Sequence, residues 1–416
     1  MQIITLSEQE FENFAKNHKY RNYYQSIEYA EVMKNMGFET HFIGIKDSKL
    51  IGASLLIYKE VFMGKKIAYA PRGLLLDYSN KEKLIEITEK IKELLGNQGF
   101  ILLRIDPYIP ATIRDNKGKI TNLNNEINNI MINIKSAGFK YKGQNKGFEN
   151  EQPRYESIKL LNDTTINLYN NMNKRIKHKI TRARGCGITI SEDKTKNISE
   201  LYNFIKDKKI FNKKYLNEIV KQFPTSQVYY AVLNTDSFVI ESKKRYESEL
   251  ERNNNLAKKI QNIGKKNNKI LNMKMESDRL IDVYKNDLVL ATKLLKEYPK
   301  GLIISGLLTI DYNNSRYIIA EGYNKNFSHL NSNYLLKWYL IEKSKKQNLN
   351  YINMNALYGN FEKKNIYTNL NNAKLEYNSI PIEYIGEFDL ILNNINYSMY
   401  QAFSKNKSYQ FKRDLI

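Results

Sequence analysis

The densest group of side chains that could do chemistry is a basic run, NMNKRIKHKITRARG, at residues 171–185. Six Lys or Arg side chains and one His lie within residues 174–184, with no acid among them. On a helix these charges would occupy two adjacent faces. Arg can fork onto phosphate oxygens and Lys adds a mobile point charge, so the run predicts a phosphate or nucleic-acid contact. The alternative is a solvated helix face in a basic protein.

Two further candidates for chemistry follow strand-like segments. Arg72 lies between Pro71 and Gly73 in AYAPRG, where Pro fixes φ and Gly allows the close approach of a ligand. Asp106 ends the apolar segment 99–108, a position where α/β folds often hold a functional carboxylate. A plain turn with a surface Arg and a structural salt bridge remain the alternatives for these two residues.

Common catalytic motifs are missing from the sequence. It contains no GxSxG, Walker, GxGxxG or HExxH pattern. One Cys excludes a disulfide framework or a Cys-based metal cluster, and the four scattered His make a metal site unexpected. Cys186 has no companion His–Asn pattern and is interpreted as a buried or incidental thiol rather than a nucleophile. An enzyme of this kind would work by positioning two substrates, at least one of them already activated.

Length and charge narrow the class of protein further. The chain has 416 residues, 42% of them hydrophobic, which predicts packed cores in two domains. Lys plus Arg is 66 and Asp plus Glu is 44, so the net charge is +22. This charge predicts a polyanionic partner, although AT-rich coding would supply Lys as well. The N-terminus lacks a signal-peptide pattern and no apolar run reaches membrane-spanning length, so a cytoplasmic protein is expected.

The order of predicted elements is similar in the two halves of the chain. In the first half a helix at 24–38 precedes a strand meander, an amphipathic helix and the strand at 99–108; the polar stretch ATIRDNKGKITNLNNEIN is interpreted as a surface excursion. In the second half a basic helix at 167–184 precedes further helices, a hairpin with turn Asn313-Asn314, a helix and a strand. This order predicts a mixed α/β fold with a structural duplication.

Residues 238–298 interrupt the second half. This segment contains no Pro and one Gly, and its apolar residues recur at near-helical spacings on either side of Gly264. The pattern predicts two long helices folded back as an antiparallel coiled-coil arm, inserted between strands. A helical subdomain lying on the body is the alternative.

Seven segments, taken in order, resemble the FemABX family of aminoacyl-tRNA-dependent peptidyltransferases over nearly the whole chain. The helical interruption between strands adds to the specificity of this resemblance. The segments are YQSIEYAEVMKNMGF (24–38), YAPRGLLLDY (69–78), LLRIDPY (102–108), GFKYKG with ENEQPRY (138–155), RIKHKITRARGCGI (175–188), EGYNKNFSHLNSNYLLKWYLIEKSKK (321–346) and YIGEFDLILN (384–393).

The resemblance implies a fold of two tandem GNAT-like acyltransferase domains with a coiled-coil arm inserted in the second. The first domain would hold the precursor-binding cleft. The implied boundaries are 1–150 for the first domain, 151–237 with 299–395 for the second, 238–298 for the arm and 396–416 for a C-terminal helical tail.

The resemblance also implies the activity: transfer of an amino acid from aminoacyl-tRNA to a stem-peptide amine of a peptidoglycan precursor. The acceptor would be lipid II or UDP-MurNAc-pentapeptide. No cofactor is expected, because the charged tRNA is itself the activated co-substrate. Contacts with an anionic membrane surface at the inner face of the plasma membrane, and with related peptidyltransferases, are further implied.

Site residues follow from the family's motif positions. Lys34 matches a Lys that contacts precursor phosphates, and Arg72 and Asp106 match positions lining the same cleft. Arg72 would clamp the diphosphate together with Lys34, and Asp106 would orient or deprotonate the acceptor amine as the catalytic residue.

The second half contributes further implied contacts. In the basic helix Lys177 or Arg182 would complete the phosphate clamp, and Tyr215 would line the cleft. Ser328 and Asn331 stand where the family pattern carries basic residues, which places the carbonyl-polarising role in doubt. The neighbouring residues that could compensate are Asn324, Lys325 and Lys337.

Two other functions remain compatible with the sequence. One is a different GNAT-fold aminoacyl- or acyltransferase with an acceptor outside peptidoglycan. The other is a non-catalytic, basic scaffold for cell-wall assembly, which the loss of basic residues at Ser328 and Asn331 would favour.

Overall fold

The computed structural model describes residues 1–148, 150–208, 211–263, 267–362 and 365–404. Its strands fall into two sheets. The strands are β1 (Gln2–Thr5), β2 (Glu39–Lys46), β3 (Leu50–Phe62), β4 (Lys65–Ala70), β5 (Phe100–Ile105), β6 (Pro110–Arg114), β7 (Ile120–Leu123), β8 (Phe139–Tyr141), β9 (Tyr155–Leu160), β10 (Ile188–Asp193), β11 (Gln227–Leu233), β12 (Leu302–Tyr312), β13 (Ser315–Tyr323), β14 (Tyr351–Ala356), β15 (Ile380–Tyr384) and β16 (Phe388–Ile391).

Helices cover both faces of these sheets. They are α1 (Glu8–Ala15), α2 (Ile27–Asn35), α3 (Lys81–Asn97), α4 (Ile127–Ser136), α5 (Thr165–Asn170), α6 (Lys174–Gly185), α7 (Ser199–Ile205), α8 (Lys213–Gln222), α9 (Thr235–Ile263), α10 (Asn268–Glu297), α11 (Ser332–Lys346), α12 (Thr368–Leu375) and α13 (Asn394–Ser404). Short 3₁₀ helices occupy Lys206–Lys208 and Lys325–Leu330. Among the described helices, none is both long and apolar enough to cross a membrane.

The two sheets exchange strands between the halves of the chain. The first sheet runs β1-β2-β3-β4-β5-β16-β8 and the second runs β10-β11-β12-β13-β14-β9-β15-β6-β7. Residues 110–123, which lie within the expected first domain, therefore pair in the second sheet, and β16 from the second half pairs in the first sheet. The mixed α/β class is confirmed.

Hydrophobic clusters join the layers. Helices α3 and α4 pack on one face of the first sheet, and α6 and α11 pack on one face of the second. A third cluster joins the remaining faces, with Tyr29 and Met33 from α2 in the same core as Leu216 from α8. The halves thus share one hydrophobic core, which fixes their relative position.

The interruption at 238–298 forms two long antiparallel helices, α9 and α10, as predicted. Ser277 donates to Glu249 Oε1 at 2.6 Å and accepts from Asn253 Nδ2 at 3.1 Å, so residues far apart in sequence face each other across the pair. Leu294 and Ala291, at the end of α10, are buried in the core of the second half. The base of this helical pair is therefore part of the body.

Local signals decide several other elements. Asn313 and Asn314 adopt φ of 48° and 54° in the tight turn between β12 and β13, a conformation that Asn tolerates better than most residues. The predicted basic helix 167–184 is instead two helices, because Asn173 caps α6 through its side chain.

One further segment differs from its prediction, and part of another lies outside the residues that the structure describes. The polar stretch after residue 110, expected to be a surface excursion, forms the β6–β7 hairpin. Residues 405–416 of the predicted tail lie outside the described residues.

Candidate functional site

A cavity of about 430 Å³ lies against one face of the second sheet. Its walls come from β12, β13, α6, α11 and α12. Cations outnumber anions in its lining, so it is suited to an anionic ligand. The charged lining residues are Arg175, Lys179, Lys208, Lys337, Glu321 and Glu376.

The floor of the cavity depends on two glycines that pair across β12 and β13. Gly306 lies directly opposite Gly322. A Cβ at Gly306 would stand 2.7 Å from the Tyr230 ring, and one at Gly322 would stand 2.6 Å from Ile205. Glycine is therefore required at both positions, because the Tyr230 ring of the neighbouring strand β11 and Ile205 of α7 pack directly against their backbone. This close packing leaves the opposite face of the strands to the cavity.

An ion pair lies in the cavity wall. Lys337 Nζ, on α11, is 2.8 Å from Glu321 Oε2, on β13. The Lys337 side chain is only 4% exposed, whereas that of Glu321 is 35% exposed. Burial alone would raise the pKa of Glu321, but Lys337 and Lys374 lower it, so the carboxylate is ionised at neutral pH. The cavity thus presents a fixed carboxylate beside a fixed ammonium group.

A second buried lysine lies behind this pair. Lys374, on α12, donates through Nζ to the Ala356 carbonyl at 2.6 Å. Burial lowers the pKa of Lys374 to about 8; Glu321 opposes this shift and Lys337 adds to it. Lys374 therefore adds to the positive potential that keeps Glu321 ionised.

Another charged cluster joins the two sheets. The Arg72 guanidinium donates through Nη2 to Glu156 Oε1 at 2.6 Å, and its Nη1 lies 3.6 Å from Asp106 Oδ2. The Arg72 backbone N–H donates to Asp106 Oδ1 at 2.6 Å, and Arg72 adopts φ of 53° there. Glu156 belongs to β9 of the second sheet, so this cluster connects the halves.

Burial controls the electrostatics of this cluster. Arg72 and Asp106 are each 2% exposed. Burial raises the pKa of Asp106 to about 7, although Arg72 and its backbone N–H act in the opposite direction. The carboxylates of Glu156 and Asp106 raise the pKa of Arg72, which outweighs the effect of its burial. Tyr108 and Tyr384 stack on each other at 4.4 Å, and the guanidinium lies over both rings.

This arrangement differs from the expectation that Arg72 is a turn residue open to a diphosphate. Its guanidinium is enclosed by two carboxylates, two aromatic rings and the Pro153 carbonyl. Of the predicted site residues, Arg72 and Asp106 are brought into direct contact, and neither lines the cavity.

The other predicted phosphate contacts lie on separate elements. The Lys34 side chain, on α2, is 42% exposed and pairs with Glu31 and Glu8. Lys177, on α6, is half-buried and donates to the Asn170 carbonyl at 3.0 Å. Arg182, also on α6, pairs with the buried Asp287 of α10 at 3.2 Å and so connects α6 to the inserted helices.

The remaining two predicted residues make contacts that support the fold. Tyr215, on α8, is 3% exposed, and its burial raises the pKa of the phenol well above 10. Its ring stacks on Phe211. Asn324 caps the 3₁₀ helix that begins at Lys325 by accepting from the Asn326 backbone N–H at 3.1 Å. Both lie outside the cavity lining.

The sequence reasoning missed most of the cavity. The family pattern indicates Lys337 only as a neighbour that could compensate for Ser328 and Asn331, and no pattern in the sequence indicates Glu321. A signal was present for Lys337: it stands between Leu336 and Trp338 in a segment too apolar for a solvated lysine. A lysine in such a segment predicts a buried partner of opposite charge.

Comparison with known proteins places these features in context. Residues 6–405 match the family model of the FemAB family. The chain is 26% identical to "Aminoacyltransferase FemA" of Staphylococcus epidermidis over 98% of its length and 100% of that protein's length. It is also 26% identical to "Aminoacyltransferase FemA" of Staphylococcus aureus, over 99% and 100% respectively. A crystal structure of FemX has a similar fold, with a TM-score of 0.70 and 21% identity over 96% of this chain and 99% of that one.

Proposed function

The chain belongs to the FemAB family, and we propose that it transfers an amino acid from aminoacyl-tRNA to an amine on the stem peptide of a peptidoglycan precursor. The cavity with its Lys337–Glu321 pair is the observation that carries the proposal. The name "aminoacyltransferase" of the FemA relatives supports the reaction class. The tRNA donor and the precursor acceptor are part of the proposal.

The chemistry asks little of the protein beyond positioning. The ester of an aminoacyl-tRNA is already activated, so a neutral amine can attack it directly without a covalent enzyme intermediate. The protein must align the two substrates, accept a proton and stabilise the oxyanion that forms at the ester carbonyl. As proposed, the reaction requires no bound cofactor.

The cavity is proposed as the site of the aminoacyl end of the donor. Arg175, Lys179 and Lys208 would contact phosphates near the 3′ end. Tyr334 supplies an aromatic ring, over which Lys179 Nζ already lies at 3.8 Å, so a base could stack beside a cation. About 430 Å³ is room for a nucleoside with a small aminoacyl group.

Lys337 is proposed as the residue that polarises the ester carbonyl. Its ammonium group is held by Glu321 and donates to the Ala373 carbonyl at 3.3 Å, so it is fixed before the substrate arrives. A preorganised donor in a site with little water is worth far more than the same group in solution. Lys337 would thereby take the role placed in doubt by Ser328 and Asn331.

The precursor would meet the donor from the side of the first sheet. Lys34 is the predicted phosphate contact on this side with an accessible side chain, and we retain it for the precursor diphosphate. We assign Arg72 and Asp106 structural roles in the cluster that connects the two halves, because their charges already pair with each other and with Glu156. The net charge of +22 supports contact with an anionic membrane surface when the precursor is lipid-linked.

One experiment tests this proposal directly. The protein is incubated with a mixture of charged tRNAs and either lipid II or UDP-MurNAc-pentapeptide, and the products are analysed by mass spectrometry. We expect a precursor heavier by one or more amino-acid residues, formed only when charged tRNA is present. Transfer to a different acceptor, or binding of both substrates without transfer, would contradict the proposal.

A further inference from the structure

We infer that Glu321 binds the free α-ammonium group of the aminoacyl donor, so that the cavity selects α-aminoacyl groups over uncharged acyl groups. The inference rests on the proposed function and adds a specificity-determining residue to it.

The cavity is cationic, which creates a difficulty for this donor. Arg175, Lys179, Lys208 and Lys337 all line it. Their charges attract RNA phosphates but repel the α-ammonium group at the end of the same molecule. A donor with a free amino group therefore needs a carboxylate at the point where its ammonium group rests.

Two carboxylates line the cavity, and one is better placed than the other. Glu376 lies 3.8 Å from the Arg175 guanidinium and its side chain is 15% exposed. Glu321 is 35% exposed, and its pairing with Lys337 involves Oε2. Glu321 is thus the more accessible of the two, and one of its oxygens is already used to orient it.

The spacing of the Lys337–Glu321 pair matches the charges of an α-amino ester. In such an ester the ammonium nitrogen and the carbonyl oxygen are on the order of 3 Å apart, by standard bond lengths. Lys337 Nζ and Glu321 Oε2 are 2.8 Å apart, and their charges are opposite to those of the ester carbonyl oxygen and ammonium nitrogen that they would face. The pair can therefore meet both ends of the group at once, the ammonium with Glu321 and the carbonyl with Lys337.

Two glycines border the carboxylate on the cavity floor. Glu321 pairs with Leu307 across the strands, directly beside the Gly306–Gly322 pair. The backbone of these glycines lines the cavity next to the carboxylate. A small acyl group lying on this backbone floor would have its ammonium group at Glu321.

The test measures binding without an acceptor, using two probes that differ at one group. An acceptor-stem RNA esterified with glycine is compared with the same RNA esterified with glycolate, in which a hydroxyl replaces the ammonium group. We expect the wild-type protein to bind the glycyl probe about tenfold more tightly, equivalent to about 1.4 kcal/mol. Glu321→Gln should bring the two affinities within about twofold, with the affinity for the glycolyl probe little changed.

A matched control separates specificity from structure. Glu192, on β10, pairs with Lys343 of α11 and so also links α11 to the second sheet. Glu192→Gln should keep the tenfold preference. The double variant Glu321→Gln, Lys337→Met removes both charges, so it can be measured if the unpaired Lys337 unfolds the single variant, and it too should lack the preference.

The inference is overturned if wild-type protein binds both probes equally, or if Glu321→Gln keeps the preference. Failure of the proposed function is a separate result. It would appear as a normal binding preference with no amino acid transferred to any precursor.

Discussion

At the scale of single residues, the charges of this protein divide into those facing a cavity and those buried with their partners. Lys337 and Glu321 form a pair with one member open to the cavity. Arg72, Asp106 and Glu156 are enclosed. Breaking an enclosed ion pair leaves an uncompensated charge and so affects stability first.

Arg72→Met separates the structural role of Arg72 from the expected diphosphate clamp. It leaves Glu156 and Asp106 without their cation, so we expect the free energy of unfolding to fall by about 3–5 kcal/mol. In the fraction of the protein that remains folded, the KM for the peptidoglycan precursor should change little. Denaturant unfolding and steady-state kinetics measure the two effects, and normal stability with a strongly raised KM would support the clamp instead.

Glu387 makes stability depend on pH. Burial raises its pKa to about 8; Arg104 opposes this shift, and Glu151 and Asp106 add to it. A carboxyl whose pKa is higher in the folded state than in the unfolded state stabilises the fold fully at pH values below its unfolded pKa of 4.5. This stabilisation is lost as the pH rises through about 8.

Glu387→Gln mimics the neutral form of this side chain. Between pH 5 and pH 8 the free energy of unfolding of this variant should therefore rise relative to that of the wild type by on the order of 3 kcal/mol. Glu383→Gln provides the contrast, because Arg114 and Arg154 lower the pKa of Glu383 despite its burial. That variant should lose stability relative to the wild type at neutral pH, and parallel pH curves for all three proteins would refute the assignment.

At the scale of elements, the local sequence predicts the turns and helices well, but it predicts the pairing of distant strands poorly. The Asn313-Asn314 turn and the two inserted helices follow from patterns within a few residues of each other. The pairing of β16 with β5 does not, because Arg104 and Asp389, which pair there, are 285 residues apart. The cavity escaped prediction for the same reason: Glu321 and Lys337 lie on different elements and meet only after folding.

A buried polar layer fixes the register of α9 against α10. The Ser277 hydroxyl is fully buried between Glu249 and Asn253. Ser277→Ala removes one hydrogen bond from each partner, so we expect the helical pair to lose about 1–3 kcal/mol. Amide hydrogen exchange should become faster in α9 and α10 and stay unchanged in β5. Uniformly faster exchange in both regions would show instead that the layer supports the whole fold.

At the scale of the whole molecule, part of the positive charge behind the net +22 lines the cavity wall. Arg175, Lys179 and Lys208 account for part of it. The two halves share a core and the Arg72–Glu156 ion pair. A donor held in the second half and an acceptor held beside the first would thus keep a fixed relation.

The cations in the cavity wall predict how the binding of aminoacylated RNA depends on salt concentration. The variant with Arg175, Lys179 and Lys208 all changed to Gln should lower the slope of log K against log salt by about 2, as expected for three phosphate contacts to a single strand. Equilibrium binding of the acceptor-stem RNA between low and moderate salt gives this slope. A weaker affinity with an unchanged slope would show that these side chains do not contact phosphates.

The most direct test of the cavity as the reaction site is the single-turnover rate of transfer by Lys337→Met. Loss of a preorganised donor to the oxyanion should slow transfer by about 10²–10³-fold. Lys343→Met, which removes a lysine from the same helix and its ion pair with Glu192, should remain close to the wild type. A Lys337→Met rate within about threefold of the wild type, measured on folded protein with saturating substrates, would contradict the account.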